Sequence, residues 1–314
     1  MTPSEFDYLR TYLKQRSGLV LTAEKQYLVE SRLLPVARKA GLTSLSALIT
    51  KMKEPGQTPL CEAVVEAMTT NESFFFRDKT PFEHFVDTML PSMLEARARD
   101  RRIRIWCAAA STGQEPYSLA MCLKEAEAKL AGWRVEIVGT DLSNEVLDKA
   151  KAGVYSQFEV QRGLPINHLL KHFTQNGDTW QISSTLRSMV SYRKLNLLEN
   201  FSSLGQFDIV FCRNVLIYFD NQTKVDILGR ISKMMPADGF LVLGAAETVV
   251  GLTDAFKPMT DKRGLYQVNS GGAGAVPMPR VAAAGASAVG AAAAPRPASP
   301  TAPRPVSRFG IVGR

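Results

Sequence analysis

The sequence predicts an α/β protein: a doubly wound sheet, preceded by a helical module and interrupted by a small excursion with strand character. Three observations carry this. Residues 103–117 run as an alternating apolar strand, a turn of small residues and a helical pattern. Strand and helix patterns then alternate as far as about residue 243, which is what parallel βαβ units with right-handed crossovers require. The first 80 residues carry helical periodicity alone.

In the helical module, Ser4 precedes Phe6, Tyr8, Leu9, Tyr12 and Leu13, an amphipathic run that Gly18 ends. A second run begins near Thr22, carries Tyr27, Leu28, Leu33 and Leu34, and stops at Gly41. Residues 44–52 and 59–68 read as two further helices. The second helix bears Lys25, Arg32, Arg38 and Lys39, which is either a solvated face or a basic surface for an acidic partner. Residues 69–77 then read Thr-Thr-Asn-Glu-Ser-Phe-Phe-Phe-Arg. Three adjacent aromatics fit neither one helical face nor one strand face, so some of them should line a pocket or fill an interdomain seam. Pro81 opens a helix expected over 82–98, and its basic end (Arg97, Arg99, Arg101, Arg102) suits a helix C-terminus.

The sheet is expected to take its strands from 103–107, 135–140, 190–195, 207–212 and 240–243. Helices over 116–130, 144–152 and 222–235 connect them, and a hairpin at 256–259 and 265–268 closes one edge. Residues 153–189 are too long for a simple connection. A short helix at 165–172 and candidate strands at 180–182 and 186–188 make them a small β-subdomain. From residue 270 the composition collapses to Ala, Gly, Pro and Arg, which cannot bury a core, so disorder is expected there. The apolar cluster at 308–314 is either a docking motif or an unselected terminus. The domains are thus 1–80, 81–269 (with the 153–189 insertion) and the tail, 270–314.

Composition narrows the function. A chain of 314 residues, 45% hydrophobic and 22% charged, is of globular type. No apolar run approaches the roughly 20 residues needed to span a bilayer, and the N-terminus lacks a signal-peptide pattern, so a cytoplasmic location is expected. The net charge of +8 hints at nucleic acid, but residues 271–314 hold five arginines and no acid. Subtracting those five leaves +3 for the first 270 residues, which argues against a nucleic-acid surface on the folded part. Cys61, Cys107, Cys122 and Cys212 have no CxxC spacing and read as buried thiols. His168 and His172 stand at i, i+4 without sulfur or carboxylate neighbours in sequence, so no metal is expected.

The chemistry points to the carboxyl ends of the strands, where doubly wound sheets bind ligands. Asp141 closes the second strand and is placed to hydrogen-bond ribose hydroxyls. The first turn, Ala-Ala-Ala-Ser-Thr-Gly, lacks GxGxxG and is less suited to gripping a pyrophosphate. A nucleoside without phosphates fits better, and S-adenosylmethionine is the obvious one. The fourth strand runs into Arg213, Asn214 and Tyr218 without the Asn/Asp-Pro-Pro-Tyr pattern expected of amino-group DNA methyltransferases.

Residues 69–77, Ala108-Ala-Ala-Ser-Thr-Gly-Gln-Glu-Pro-Tyr-Ser118, Gly139-Thr-Asp141, Asn196-Leu-Leu and Phe211-Cys-Arg-Asn-Val-Leu-Ile-Tyr-Phe-Asp220 together resemble CheR, the chemotaxis receptor methyltransferases, in order over about residues 1–269. The resemblance implies a class I S-adenosylmethionine-dependent methyltransferase domain behind a helical domain. It implies methyl esters on glutamates of methyl-accepting chemotaxis receptors, with S-adenosylhomocysteine as product. It implies cofactor contacts at Asn71, Ser73, Arg77, Glu115, Asp141, Asn196, Leu197, Arg213 and Asn214. Arg77 and Tyr218 would flank the transferred methyl, and Arg32 and Arg38 would face the receptor. The membrane is reached only through the receptors, and a monomer is expected. Ser73 stands where many members have Thr, and Gln114 where many have Glu. The stretch between Phe173 and Trp180 looks about three residues shorter than in members that dock on a receptor C-terminal pentapeptide, which puts such docking in doubt. A methyltransferase of another acidic protein and a non-catalytic cofactor-binding adaptor are the competing readings.

Overall fold

The computed structural model describes residues 1–269; the tail expectations, including the cluster at 308–314, lie outside the described residues. Helix α1 (Pro3–Ser17) starts on a capping box, in which Thr2 and Glu5 satisfy each other's backbone N–H groups, and ends on Gly18 in the left-handed region. A 3₁₀ turn at Ala23–Lys25 leads into α2 (Gln26–Lys39). Helices α3 (Leu45–Met52, capped by Ser44) and α4 (Thr58–Met68) follow. These four bury Leu9, Leu13, Val29, Leu33, Leu48 and Val64 in a core of their own.

The helix expected over 82–98 is a composite. Helix α5 (Thr80–His84) widens into a π turn (Phe85–Met89) before α6 (Leu90–Ala96). Pro91 has no N–H for the carbonyl of the preceding turn, and the ladder shifts register ahead of it. Strand β1 (Arg102–Ala108) leads to α7 (Gln114–Glu125), and β2 (Arg134–Asp141) to α8 (Asn144–Ala152). Helix α7 begins two residues earlier than its periodicity suggests and ends at Glu125, with a 3₁₀ turn over Glu127–Leu130.

The excursion differs most from expectation. It holds β3 (Val154–Ser156), α9 (Gln157–Gln161), α10 (Ile166–His172), β4 (Phe173–Asn176) and β5 (Thr179–Ile182), followed by α11 (Ser184–Arg187). The strand expected at 186–188 is therefore a helical turn: the Ser183 hydroxyl caps it by accepting the Leu186 N–H, a local bond that outweighs a weak strand pattern. The small sheet is β3-β5-β4, all antiparallel.

The main sheet resumes with β6 (Val190–Lys194), β7 (Ile209–Cys212), α12 (Asn221–Ser232), β8 (Phe240–Leu243), β9 (Phe256–Pro258) and β10 (Leu265–Val268). Its order is β6-β2-β1-β7-β8-β10-β9, with the first five strands parallel and β10 antiparallel to both neighbours. Period-2 alternation sends Ile103, Ile105, Cys107, Ile209, Phe211, Phe240 and Val242 to the layer of α5–α7. Trp106, Ala108, Val210, Cys212, Leu241 and Leu243 go to the layer of α12. From β1 the chain winds outward through β2 to β6, then returns to β7 on the other side of β1. The carboxyl ends of β1 and β7 thus form the switch point at which such sheets bind ligands. No helix among the described residues is long and apolar enough to cross a membrane.

Candidate functional site

A cleft of about 1000 Å³ opens at that switch point, between the sheet and the helical module. It is lined from four directions. The segment after α4 brings Asn71, Ser73 and Arg77; the β1–α7 turn brings Ala109–Ser111 and Glu115; β2 ends in it with Asp141; and the loops after β6 and β7 bring Asn196, Leu197, Arg213, Asn214 and Tyr218. All ten residues expected from the sequence to hold the cofactor or flank the methyl therefore meet in one place. Arg32 and Arg38 do not line it.

The β1–α7 turn is tightly wound. Ala109 (φ 61°) and Ser111 (φ 51°) are both left-handed, as is Gly113 (φ 94°), where a Cβ would come within 2.7 Å of Tyr192 Oη and 2.9 Å of Ala150 Cβ. Asp141 holds this turn: its Oδ2 accepts the Ser111 N–H (2.9 Å) and its Oδ1 the Ser143 N–H (3.1 Å). Burial pushes the Asp141 carboxyl up, and those backbone N–H groups pull against the shift. Each oxygen retains a lone pair for an incoming hydroxyl.

Arg213 is buried between elements. Its Nη1 donates to Glu115 Oε2 (2.7 Å), and its Nη2 donates to Asp78 Oδ2 (2.7 Å) and to the Arg77 carbonyl (2.9 Å). Its two Nη groups thus hold the cleft's elements together. Burial raises the Glu115 carboxyl, and Arg213 opposes that shift. The paired Glu115 lines the cleft and can accept a donor from a bound cation.

Of the two roles expected for the phenylalanine run, a pocket lining or a seam filling, the structure shows the packing one, against the β-subdomain. None of the three lines the cleft. Phe75 is fully buried in the α/β core, edge-on to Tyr155 and Phe173. Phe76 stacks on His168, and Phe74 lies under the guanidiniums of Arg77 and Arg162. Three residues in three directions pin the segment to the β-subdomain, which leaves Asn71, Ser73 and Arg77 to face the ligand. Arg77 Nη1 donates to the Glu72 carbonyl (2.7 Å). His168 and His172 stack at 5.8 Å in the core, and burial depresses the basicity of both.

The helical module closes the cleft by seam contacts. Asn196 Nδ2 donates to the Arg16 carbonyl (2.7 Å), the Val20 N–H donates to the Tyr218 carbonyl (2.9 Å), and Lys14 pairs with Asp220 (2.7 Å). Ser17 and Leu19 also line the cleft.

One organiser had no signal in the sequence. Glu247, in the bland run Gly-Ala-Ala-Glu-Thr, accepts four backbone N–H groups. Its Oε2 takes those of Asn214 and Gly244 (both 2.8 Å), and its Oε1 takes those of Val215 (2.9 Å) and Ile217 (3.3 Å). It thereby holds the β7 loop with Asn214 at φ 57°. No spacing rule links residue 247 to a loop thirty residues earlier.

Residues 71–265 match the family described as "CheR methyltransferase, SAM binding domain", and residues 4–69 match "CheR methyltransferase, all-alpha domain". The chain is 43% identical over 258 residues to Chemotaxis protein methyltransferase 1 of Pseudomonas aeruginosa, covering 81% of this chain and 93% of that one. It is 41% identical over 268 residues to Chemotaxis protein methyltransferase Cher2 of Pseudomonas putida (84% and 97%). Against Chemotaxis protein methyltransferase 1 of Vibrio cholerae, identity is 42% over 254 residues (80% and 91%).

Proposed function

The chain belongs to the CheR methyltransferase family, and from that premise we propose that it transfers methyl groups from S-adenosylmethionine to glutamate side chains of chemotaxis receptors. The observation that carries the reading is the meeting of all ten motif-matched residues in one cleft at the sheet's switch point. The donor set suits the cofactor: an anchored carboxylate at Asp141, an apolar wall at Leu142, Leu195 and Leu197, and a paired carboxylate at Glu115. Asp141 takes the ribose, Leu197 packs on the base, and Glu115 meets the positive end of the methionine part.

When bound, S-adenosylmethionine supplies a sulfonium methyl that an ionised carboxylate can take without a general base. A receptor glutamate, with a reference pKa of about 4.3, is ionised at pH 7. The protein's work is therefore orientation and exclusion of water. Arg77 has four further N–H groups beyond the one on the Glu72 carbonyl, enough to hold both oxygens of the acceptor carboxylate. Tyr218, which also lines the cleft, fixes the same group.

The reading is tested with radiolabelled cofactor and receptor-containing membranes. The expected label sits on receptors and is released as methanol by base; label in RNA, or none, overturns it. Arg77→Ala is expected to lower turnover about 100-fold or more, the scale of a lost charge-assisted contact in a dry site. Near-normal turnover would remove Arg77 from the orienting role.

A further inference from the structure

Helix α2 was expected to present Arg32 and Arg38 to the same partner. The structure separates them. Arg38 is exposed at the last turn, whereas Arg32 is half-buried and turned inward. Its Nη1 donates to the carbonyls of Met68 (2.8 Å) and Thr69 (2.9 Å), and its Nη2 donates to Thr70 Oγ1 (3.0 Å). Met68 is the last residue of α4, where carbonyls lack intrahelical partners and a cation is favoured. Two carbonyls and a hydroxyl thus occupy the guanidinium fork.

The chain leaving this fork is the cleft wall itself: Thr69, Thr70, Asn71, Glu72 and Ser73 all line it. Further along, the wall is held by Ser111 Oγ donating to the Asn71 carbonyl (2.9 Å) and by the Phe76 N–H donating to Ser118 Oγ (3.0 Å). The near end is held by Arg32. We infer that Arg32 is a positioning residue for the cofactor, fixing the path of residues 69–73. The inference rests on the cleft being the S-adenosylmethionine site and not on the identity of the methyl acceptor. It also splits the basic helix into two roles: Arg38 remains on the outer surface, while Arg32 belongs to the pocket.

The test is equilibrium binding of S-adenosylhomocysteine to the full chain without receptor, so the outcome is independent of whether glutamate is the acceptor. Arg32→Ala is expected to weaken binding about tenfold, the scale of lost hydrogen bonds from a charged group, and Arg38→Ala to leave the affinity unchanged. With receptor present, KM for the cofactor rises in Arg32→Ala while KM for the receptor stays. Arg32→Lys keeps the charge but cannot span three separated acceptors; it covers the case in which the alanine variant fails to fold, and its expected loss is about threefold. Wild-type product affinity in Arg32→Lys together with wild-type affinity in a folded Arg32→Ala overturns the inference. So does a KM change confined to the receptor.

Discussion

The two walls of the cleft are built differently. The α/β wall is a set of left-handed turns at Ala109, Ser111 and Asn214, each locked by a carboxylate that receives backbone N–H groups: Asp141 for the first turn and Glu247 for the second. Arg213, 2% exposed at its side chain, ties that wall together. The helical wall is held by scattered hydrogen bonds and one surface ion pair: Asn196 to the Arg16 carbonyl, Val20 to Tyr218, the three bonds of Arg32 at the end of α4, the Ser111 and Ser118 contacts to residues 71 and 76, and Lys14 with Asp220. Left-handed backbone in a non-glycine residue costs on the order of 1 kcal/mol, which the buried Asp141 and the half-buried Glu247 offset by accepting the turns' N–H groups. The second has extended backbone at its cleft-lining start, turns left-handed at Phe76, Asp78 and Lys79 around Arg77, and is tethered by scattered bonds. Damage to the first wall should therefore lower both stability and cofactor affinity, while damage to the second should lower affinity alone.

The sharpest way to break this contrast is Glu247→Gln. The amide keeps one acceptor oxygen and turns an NH₂ toward backbone donors, at a cost on the order of 3 kcal/mol. Urea denaturation should reveal that loss along with weaker product binding; unchanged stability would mean that the loop holds itself. Asp141→Asn removes an anchor for two N–H groups rather than four, and about 2 kcal/mol is expected by the same measurement, again with reduced affinity. Across the cleft, Asn196→Ala should weaken cofactor binding severalfold while shifting stability by less than about 1 kcal/mol. A stability loss equal to that of Asp141→Asn would erase the distinction between the walls.

The smallest effect belongs to Asp220. Asparagine there keeps the N-cap of α12 and loses only the pairing with Lys14, worth roughly 0.2–1 kcal/mol at a surface. Lys14 and the Thr223 N–H hold the Asp220 carboxyl down to about 2, below the roughly 3.9 of an unfolded aspartate. Its contribution is therefore present above about pH 4 and is lost as pH falls toward 2. The difference in melting temperature between the wild type and Asp220→Asn should shrink over that window, and a difference constant with pH would assign the effect to the cap.

What the sequence revealed follows the same divide. The α/β wall was legible because its strands alternate with period 2 and end in small or polar residues; Asp141, Arg213 and Asn214 announce themselves by position. The seam was legible only through Asn71–Arg77. The bonds of Arg32 to the end of α4 went unforeseen because charge periodicity sees a helix face, not a backbone carbonyl 36 residues away. The strands β3 and β4 escaped because three- and four-residue edge strands carry too little pattern. Glu247 was invisible for a related reason: its partners are main-chain groups, which have no letter in the sequence.

The β-subdomain meets the rest of the molecule unevenly. At Gly163 (φ 82°) even a Cβ would lie 2.2 Å from the Phe75 carbonyl, whereas around Gly177, in the β4–β5 turn, nothing stands within 4 Å. In terms of tolerance to sequence change, the root of the subdomain is closed and its tip is open. The hairpin at residues 176–179 can gain or lose residues without a message reaching Arg77, while one methyl at residue 163 pushes directly on the segment that carries it. Sequence variation is therefore free to accumulate at the tip, mechanically insulated from the cleft.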